Sequence, residues 1–256
     1  MKTLYFMDMY YPSDTQELRQ YCSVEQRDCH TPSLILLPHS ALEFIHGMYQ
    51  DAFSRIHSPK RIVIIAPIHG QKMEDDVASS LFTYSSGDAM TPLGPVRIRS
   101  VDGVKVNDSY AEEEYAIELF YPYVALNCPD SVILPILTAL ESKEDIQALS
   151  RLMAALKKEE NDTLFIISGN FTQIGRSDEI NQMARNLNEL LENNAPLLDA
   201  AARKKISGCA YRMMEASRTS IHGHFRIIQA RCGNYVGESL TNEADGRIWQ
   251  VYGTKG

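Results

Sequence analysis

The chain has 256 residues with 25 basic and 33 acidic side chains, which gives a formal net charge of −8. This acidic balance argues against nucleic acid or an anionic membrane surface as a partner, because both need clustered Lys and Arg. No run reaches the roughly 18 apolar residues of a spanning helix, and the apolar start carries Asp8, unlike a secretory leader. The five cysteines are odd in number and form no CxxC pair, which disfavours a disulfide framework or a structural zinc knuckle. We therefore expect a cytoplasmic protein.

Two short aliphatic runs in the first third of the chain each lead into a proline, and a histidine follows one or two residues after it. Residues 33–37 lead into Pro38-His39, and residues 61–66 lead into Pro67-Ile68-His69. Such runs are typical of strands that are buried on both faces. Between them, apolar residues at spacings of three and four over 42–56 predict a helix. Strand, helix and strand in this order predict a βαβ unit with a right-handed crossover.

The same alternation continues to the end of the sequence. The remaining predicted elements are a β insertion over 77–100, a helix over 115–124, a strand over 131–136, a helix over 144–159, a strand over 163–168, helices over 179–191 and 196–204, and strands over 225–230 and 247–252. Alternating strands and helices predict an α/β fold. We expect a single domain over residues 1–256, with a mostly parallel mixed sheet flanked by helices.

Polar side chains follow three of the predicted strands. His39 follows Pro38 at the end of one predicted strand, and His69 follows Pro67-Ile68 at the end of another. The third strand ends in the polar run 168–173. Sites in open α/β sheets form at the carboxyl ends of strands. We therefore expect His39 and His69 to share a site, where imidazoles suit metal binding or acid/base work.

Other candidate residues have competing interpretations. Glu112, Glu113 and Glu114 precede the predicted helix over 115–124, and acidic residues at the start of a helix complement its dipole. Glu118 lies inside an apolar stretch, so its carboxylate needs a partner or marks a site. His46 lies either towards the same cleft or on the helix surface. His222 and His224 flank a glycine in a predicted loop, where a solvated position is the better interpretation.

A series of motifs resembles the Memo family, whose prokaryotic members are called AmmeMemoRadiSam system protein B. The resembling segments are Met9-Tyr10-Tyr11-Pro12-Ser13-Asp14, Pro38-His39-Ser40-Ala41, Ala66-Pro67-Ile68-His69, Thr91-Pro92-Leu93-Gly94, residues 114–123 (against EHSLEVQLPF), Ile133-Leu134-Pro135-Ile136, residues 168–175 (against SSDFxHxG) and Ile206-Ser207-Gly208 (against ICG). The segments run in family order from residue 9 to about 210.

The resemblance implies a fold related to the LigB-like class III extradiol dioxygenases, which hold non-haem iron with two histidines and a carboxylate. Carried over by position, the first two pocket histidines are His39 and His69. The family's aspartate and histidine of SDFxHxG correspond to Asn170 and Gln173. Its ICG cysteine corresponds to Ser207, and its EHS histidine to Tyr115. These replacements remove anionic or strongly donating ligands, so they predict weakened metal affinity.

Two hypotheses of different kinds follow. The first is a divergent Memo-type protein with a dioxygenase-like metal or redox pocket for a small molecule. Its catalytic residues would be His39, His69 and Glu118, its metal ligands His39 and His69, and its metal Fe, Cu or Zn, weakly bound or absent. The expected pocket lining is Tyr115, Asn170, Gln173, Ser207 and His46. The second is a non-catalytic binding module that keeps the fold and recognises a peptide or small ligand. Full extradiol ring cleavage is the least favoured chemistry.

Overall fold

The computed structural model describes residues 1–28, 31–69, 79–170, 177–221, 225–235 and 245–254, with side chains described up to residue 221. Its helices are α1 (Thr15–Cys22), α2 (Leu42–Phe53), α3 (Asp108–Glu112), α4 (Tyr115–Glu118), α5 (Tyr121–Asn127), α6 (Lys143–Glu159), α7 (Ser177–Glu192), α8 (Leu198–Ala202) and α9 (Tyr211–Ser220). Its strands are β1 (Leu34–Leu37), β2 (Arg61–Pro67), β3 (Leu81–Thr83), β4 (Gly87–Thr91), β5 (Gly94–Ile98), β6 (Lys105–Val106), β7 (Val132–Thr138), β8 (Thr163–Ser168), β9 (Phe225–Tyr235) and β10 (Asp245–Thr254).

All of these strands belong to one mixed sheet. The main order is β4-β5-β7-β2-β8-β1-β10-β9; off this path, β3 pairs with β7, and β6 pairs with β3. The centre is parallel, because β2 pairs in parallel with β7 and β8, and β8 pairs in parallel with β1. Antiparallel pairs such as β4 with β5 and β9 with β10 lie outside this centre. The predicted α/β class, with a mostly parallel mixed sheet and flanking helices, is confirmed.

The central strands are buried on both faces, which explains their continuous aliphatic sequences. On one face, side chains of α1, α2 and α5 pack with Ile35, Ile62 and Ile64 in one hydrophobic core. On the other face, side chains of α6, α7 and α9 pack with Leu36, Val63 and others in a second core. Burial of each aliphatic side chain of this kind stabilises the folded state by about 1.5–3 kcal/mol relative to leaving it exposed. Helices on both faces leave the carboxyl ends of the strands as the edge where a site can form.

The predicted helix over 115–124 is wrong in one respect: it consists of two helices. α4 ends at Glu118, and α5 begins at Tyr121 with Pro122 in its first turn. Proline lacks the backbone N–H, so it fits the start of a helix better than its interior. The break matters because it leaves Glu114, Tyr115 and Glu118 on a short separate helix.

In the part of the chain that the structure describes, no helix combines the length and apolar character needed to cross a membrane.

Candidate functional site

Three adjacent parallel strands bring the predicted site residues to one edge of the sheet. β8 lies between β1 and β2, so His39 after β1, His69 after β2 and Asn170 after β8 follow neighbouring strand ends. The imidazole rings of His39 and His69 are 4.8 Å apart between centroids and nearly perpendicular, at 83°. The expectation that these two histidines meet therefore holds.

A third side chain that could bind a metal, that of Cys209, reaches the two histidines from the loop before α9. The Cys209 Sγ lies 3.4 Å from His39 Nε2, and the Asn170 backbone N–H donates to the same sulfur at 3.1 Å. One ligand atom from each of His39, His69 and Cys209 lies within 4.8 Å of the other two. This His/His/Cys group could hold a metal ion, although it contains no carboxylate.

His39 is held in one tautomer by its neighbour on β8. The Ser168 hydroxyl donates to the Ala116 carbonyl at 2.7 Å, so its lone pairs accept from His39 Nδ1–H at 3.2 Å. The His39 side chain is 1% exposed. With the proton on Nδ1, the lone pair of Nε2 faces Cys209, which is the orientation that a metal ligand needs.

His69 is oriented by Glu114. The buried Glu114 carboxylate accepts from His69 Nδ1 at 3.0 Å and from the His69 backbone N–H at 2.8 Å. It also caps α4 by accepting from the Ala116 N–H at 3.0 Å. A carboxylate that holds Nδ1–H directs Nε2 towards the site, as in the carboxylate–histidine–metal arrangement of many metal sites.

The proton affinity of His69 is unusually high. Burial lowers the pKa of His69, but hydrogen bonds to Cys209 and Glu114 and the charge of Glu114 outweigh burial and raise this pKa to about 10. A metal ion must therefore displace a proton from this imidazole at neutral pH.

Tyr115 forms one wall of the site. Its ring stacks on His69, with centroids 5.5 Å apart at 24°, and contacts the His39 ring edgewise at 5.4 Å. On its other side Tyr10 stacks at 4.2 Å. The expectation that Tyr115 lines the pocket agrees with these contacts.

Glu118, expected from the sequence to be catalytic, is engaged by the N-terminal segment. Its oxygens accept from the Tyr5 and Phe6 backbone N–H groups, each at 2.9 Å, and from the Tyr11 hydroxyl at 2.7 Å. Burial raises the pKa of Glu118, and these hydrogen bonds only partly offset that effect. The carboxylate anchors the N-terminal segment and does not belong to the His/His/Cys group.

The other expected lining residues have separate positions. The Ser207 hydroxyl donates to the Met183 sulfur at 3.3 Å, and Ser207 does not belong to the His/His/Cys group, whose thiol is that of Cys209. His46 donates from Nδ1 to the Leu42 carbonyl at 3.0 Å and stacks on Tyr21, as a helix-surface residue does. Gln173, His222 and His224 lie outside the described residues.

Asn170 contributes a buried acceptor next to this group. Within the described part of the chain, its side-chain Oδ1 is buried and has no hydrogen-bond partner. An unpaired buried acceptor of this kind costs about 1–3 kcal/mol. The Asn170 backbone also supplies the N–H that contacts Cys209. The Asn170 side-chain amide is therefore a candidate to hold a ligand at the site.

Comparison with known proteins agrees with the motifs. The family model described as Memo-like protein matches residues 8–230. The chain belongs to the Memo-like family. It is 26% identical over 195 residues to a MEMO1 family protein of Aquifex aeolicus (strain VF5), an alignment that covers 71% of this chain and 69% of that protein. A solved structure of the uncharacterized protein JW3007 from Escherichia coli K12 matches at 12% identity with a TM-score of 0.43, covering 86% of this chain and 98% of that one.

Two residues of this Memo-like site were missed from the sequence. Cys209 follows no strand, so the strand-end rule does not find it, and it lies directly after the segment Ile206-Ser207-Gly208 that was compared with ICG. Glu114 was explained by the helix dipole, which is correct for its capping bond but incomplete. A signal was present in both cases: a cysteine within three residues of the matched motif, and a glutamate directly before the matched Tyr115.

Proposed function

We propose that this Memo-like protein binds one transition-metal ion through His39, His69 and Cys209 and presents it to a small molecule. The observation that carries the proposal is the convergence of three ligand atoms within 4.8 Å. Each histidine also has its other nitrogen engaged by Ser168 or Glu114. Outer hydrogen bonds of this kind are a regular feature of metal sites.

The donor set favours a borderline or soft metal. Imidazole and thiolate suit Zn²⁺ and Cu⁺, whereas Mg²⁺ and Ca²⁺ prefer oxygen ligands. Tetrahedral zinc with ordinary bond lengths places its nitrogen and sulfur ligands about 3.5 Å apart. The 3.4 Å between His39 Nε2 and Cys209 Sγ fits this spacing. Three protein ligands would leave one position open, as in catalytic zinc sites.

The described residues do not fit the iron site of extradiol dioxygenases. That site needs two histidines and a carboxylate as direct ligands. Glu114 hydrogen-bonds to His69 Nδ1 and to two backbone N–H groups, and Glu118 is bound to the N-terminal segment. We therefore propose no ring-cleaving step.

When bound, the metal would supply Lewis acidity at the open position. The residues of this chain would hold and orient it. Ser168 fixes the His39 tautomer, Glu114 accepts a hydrogen bond from His69 Nδ1–H, and the Asn170 N–H stabilises negative charge on the Cys209 sulfur. The buried Asn170 Oδ1 is an acceptor for a hydrogen-bond donor on the bound molecule.

The alternative is a binding module without metal. It was favoured by neutral residues at three matched positions, Asn170, Gln173 and Ser207. Cys209 supplies a thiol to the site, so the neutral residue at Ser207 no longer argues for this alternative. Asn170 still stands where the family motif has aspartate, which keeps this alternative open to test.

Isothermal titration with Zn²⁺ separates the two functions. We expect one zinc per chain in the wild type and loss of at least about 100-fold in affinity in Cys209→Ser, because a direct ligand is removed. Ser207→Ala is the matched control, since the same loop changes without loss of the thiol, and it should bind as the wild type does. Wild-type protein that binds no zinc, with no copper or iron on elemental analysis, would favour the binding module.

A further inference from the structure

The turn after β8 and the loop before α9 meet at an unusually close contact. A Cβ added at Gly169 would lie 2.5 Å from the Ala210 Cβ and 3.2 Å from its Cα. Ordinary carbon contacts are about 3.5–4.0 Å. Any side chain at position 169 therefore has to push Ala210 away by about 1 Å.

The same two segments carry the Cys209 thiol. The Asn170 N–H donates to the Cys209 sulfur at 3.1 Å, and the Ala210 N–H donates to the Asn170 carbonyl at 3.4 Å. Residues 169–170 and 209–210 thus lie against each other with the ligand-grade sulfur between them. The missing side chain at Gly169 is what allows this approach.

The strand side of the contact is the more rigid one. Ser168 is fully buried and pairs with Leu37 in the sheet, and the Gly169 N–H donates to the Leu37 carbonyl at 2.9 Å. Cys209 is only partly buried and lies in the loop before α9. Ala210 is fully buried, but it lies outside the sheet, at the start of α9, so we expect a collision at position 169 to displace Ala210 together with Cys209.

We propose that Gly169 is a positioning residue, which sets the Cys209 sulfur within reach of His39 and His69. The inference rests on the proposed metal function. Metal–ligand distances tolerate changes of only about 0.2 Å, so a displacement near 1 Å removes the sulfur from the coordination sphere. Gly169 itself touches no ligand and acts through Ala210.

The chain offers a clean pair of variants for this idea. Gly169 has an ordinary backbone conformation, since its φ is not among the positive values, so Gly169→Ala adds no backbone strain of its own. Ala210→Gly removes the Cβ that the new methyl would strike. Glycine is also tolerated at this position, which is the N-cap of α9.

Cadmium titration, followed by the thiolate-to-cadmium charge-transfer absorbance, is the first test. We expect Gly169→Ala to weaken binding by at least about tenfold and to reduce the absorbance per bound ion. The double variant Gly169→Ala/Ala210→Gly should recover most of the affinity of Ala210→Gly alone, because the 2.5 Å contact is removed and the shortest that remains is the 3.2 Å contact with the Cα of residue 210. Gly87→Ala is the control, because its new methyl would meet only the flexible Lys2 side chain, at 3.2 Å.

Crystal structures of the metal-free proteins provide a readout that does not depend on metal. The separation of Cys209 Sγ and His39 Nε2, 3.4 Å in the wild type, should lengthen beyond contact in Gly169→Ala and return in the double variant. If the wild type takes up no cadmium, the proposed function fails, while this distance still decides the role of Gly169. An unchanged distance in Gly169→Ala overturns the inference. If Gly169→Ala does not fold, a folded double variant with the sulfur displaced overturns it, and one with the sulfur in place supports it.

Discussion

At the scale of single residues, the site depends on which group each side chain satisfies. Glu114 and Glu118 lie four residues apart on the same short helix, and both are buried. Glu114 accepts from the His69 imidazole, whereas Glu118 accepts from the Tyr5 and Phe6 backbone. Sequence alone favoured Glu118, because its apolar neighbours made it conspicuous. The hydrogen-bond partners seen in the structure, which the sequence does not show, place Glu114 beside His69 in place of Glu118.

Replacement of Glu114 tests its role as the partner of His69. Glu114→Gln removes the negative charge and should lower the pKa of His69 from about 10 towards the ordinary value near 6.5. It should also weaken zinc binding by about 10–100-fold, because the imidazole loses its orienting carboxylate. Histidine proton NMR titration and zinc calorimetry provide the two measurements.

The pH dependence of this pair has a definite sign. Because the pKa of His69 is raised in the folded protein, the stability that the ion pair contributes is complete below pH 6.5 and is lost as the pH rises through about 10. Zinc affinity should increase over the same range, since the competing proton leaves. The exposed Glu113 supplies the control Glu113→Gln, which should change neither quantity. A wild-type His69 that titrates near 6.5 would contradict the assignment.

At the scale of elements, hydrophobic runs identified the central strands, because strands buried on both faces leave few polar positions. The helices α1, α3 and α9 were not predicted. In α9, the buried positions include Glu215 and Ser217 beside Met213 and Met214, so its inner face is not purely apolar. Glu215 is nevertheless paired with Arg218 at 2.6 Å. Its polarity hid a helix that is otherwise well packed and that places Cys209 at the site.

The N-terminal segment provides a prediction at this scale. Glu118→Gln replaces an acceptor oxygen with an NH₂ group that faces the Tyr5 or Phe6 N–H, so one partly buried donor loses its charged partner. We expect a loss of about 1–3 kcal/mol in the free energy of unfolding, measured by urea titration, and faster proteolysis within the first ten residues. Zinc affinity should stay at the wild-type value. A variant of normal stability that no longer binds zinc would return Glu118 to the site.

At the scale of the whole molecule, strand order creates the site. β8 inserts between β1 and β2 although about 100 residues separate it from β2 along the chain. The strand-end rule predicted that His39, His69 and the end of β8 share one edge, and this required no knowledge of the order. The rule makes no prediction for loops that do not follow a strand but pack against this edge of the sheet. Cys209 reaches the edge in this way, from a loop whose Ala210 lies against Gly169.

X-ray absorption spectroscopy of the zinc-loaded protein tests the central claim most directly. The account predicts one sulfur neighbour at about 2.3 Å and two imidazole nitrogens at about 2.0–2.1 Å, with the sulfur lost in Cys209→Ser and kept in Ser207→Ala. A zinc ion surrounded only by nitrogen and oxygen in the wild type would contradict it, because Cys209 would then not be a ligand.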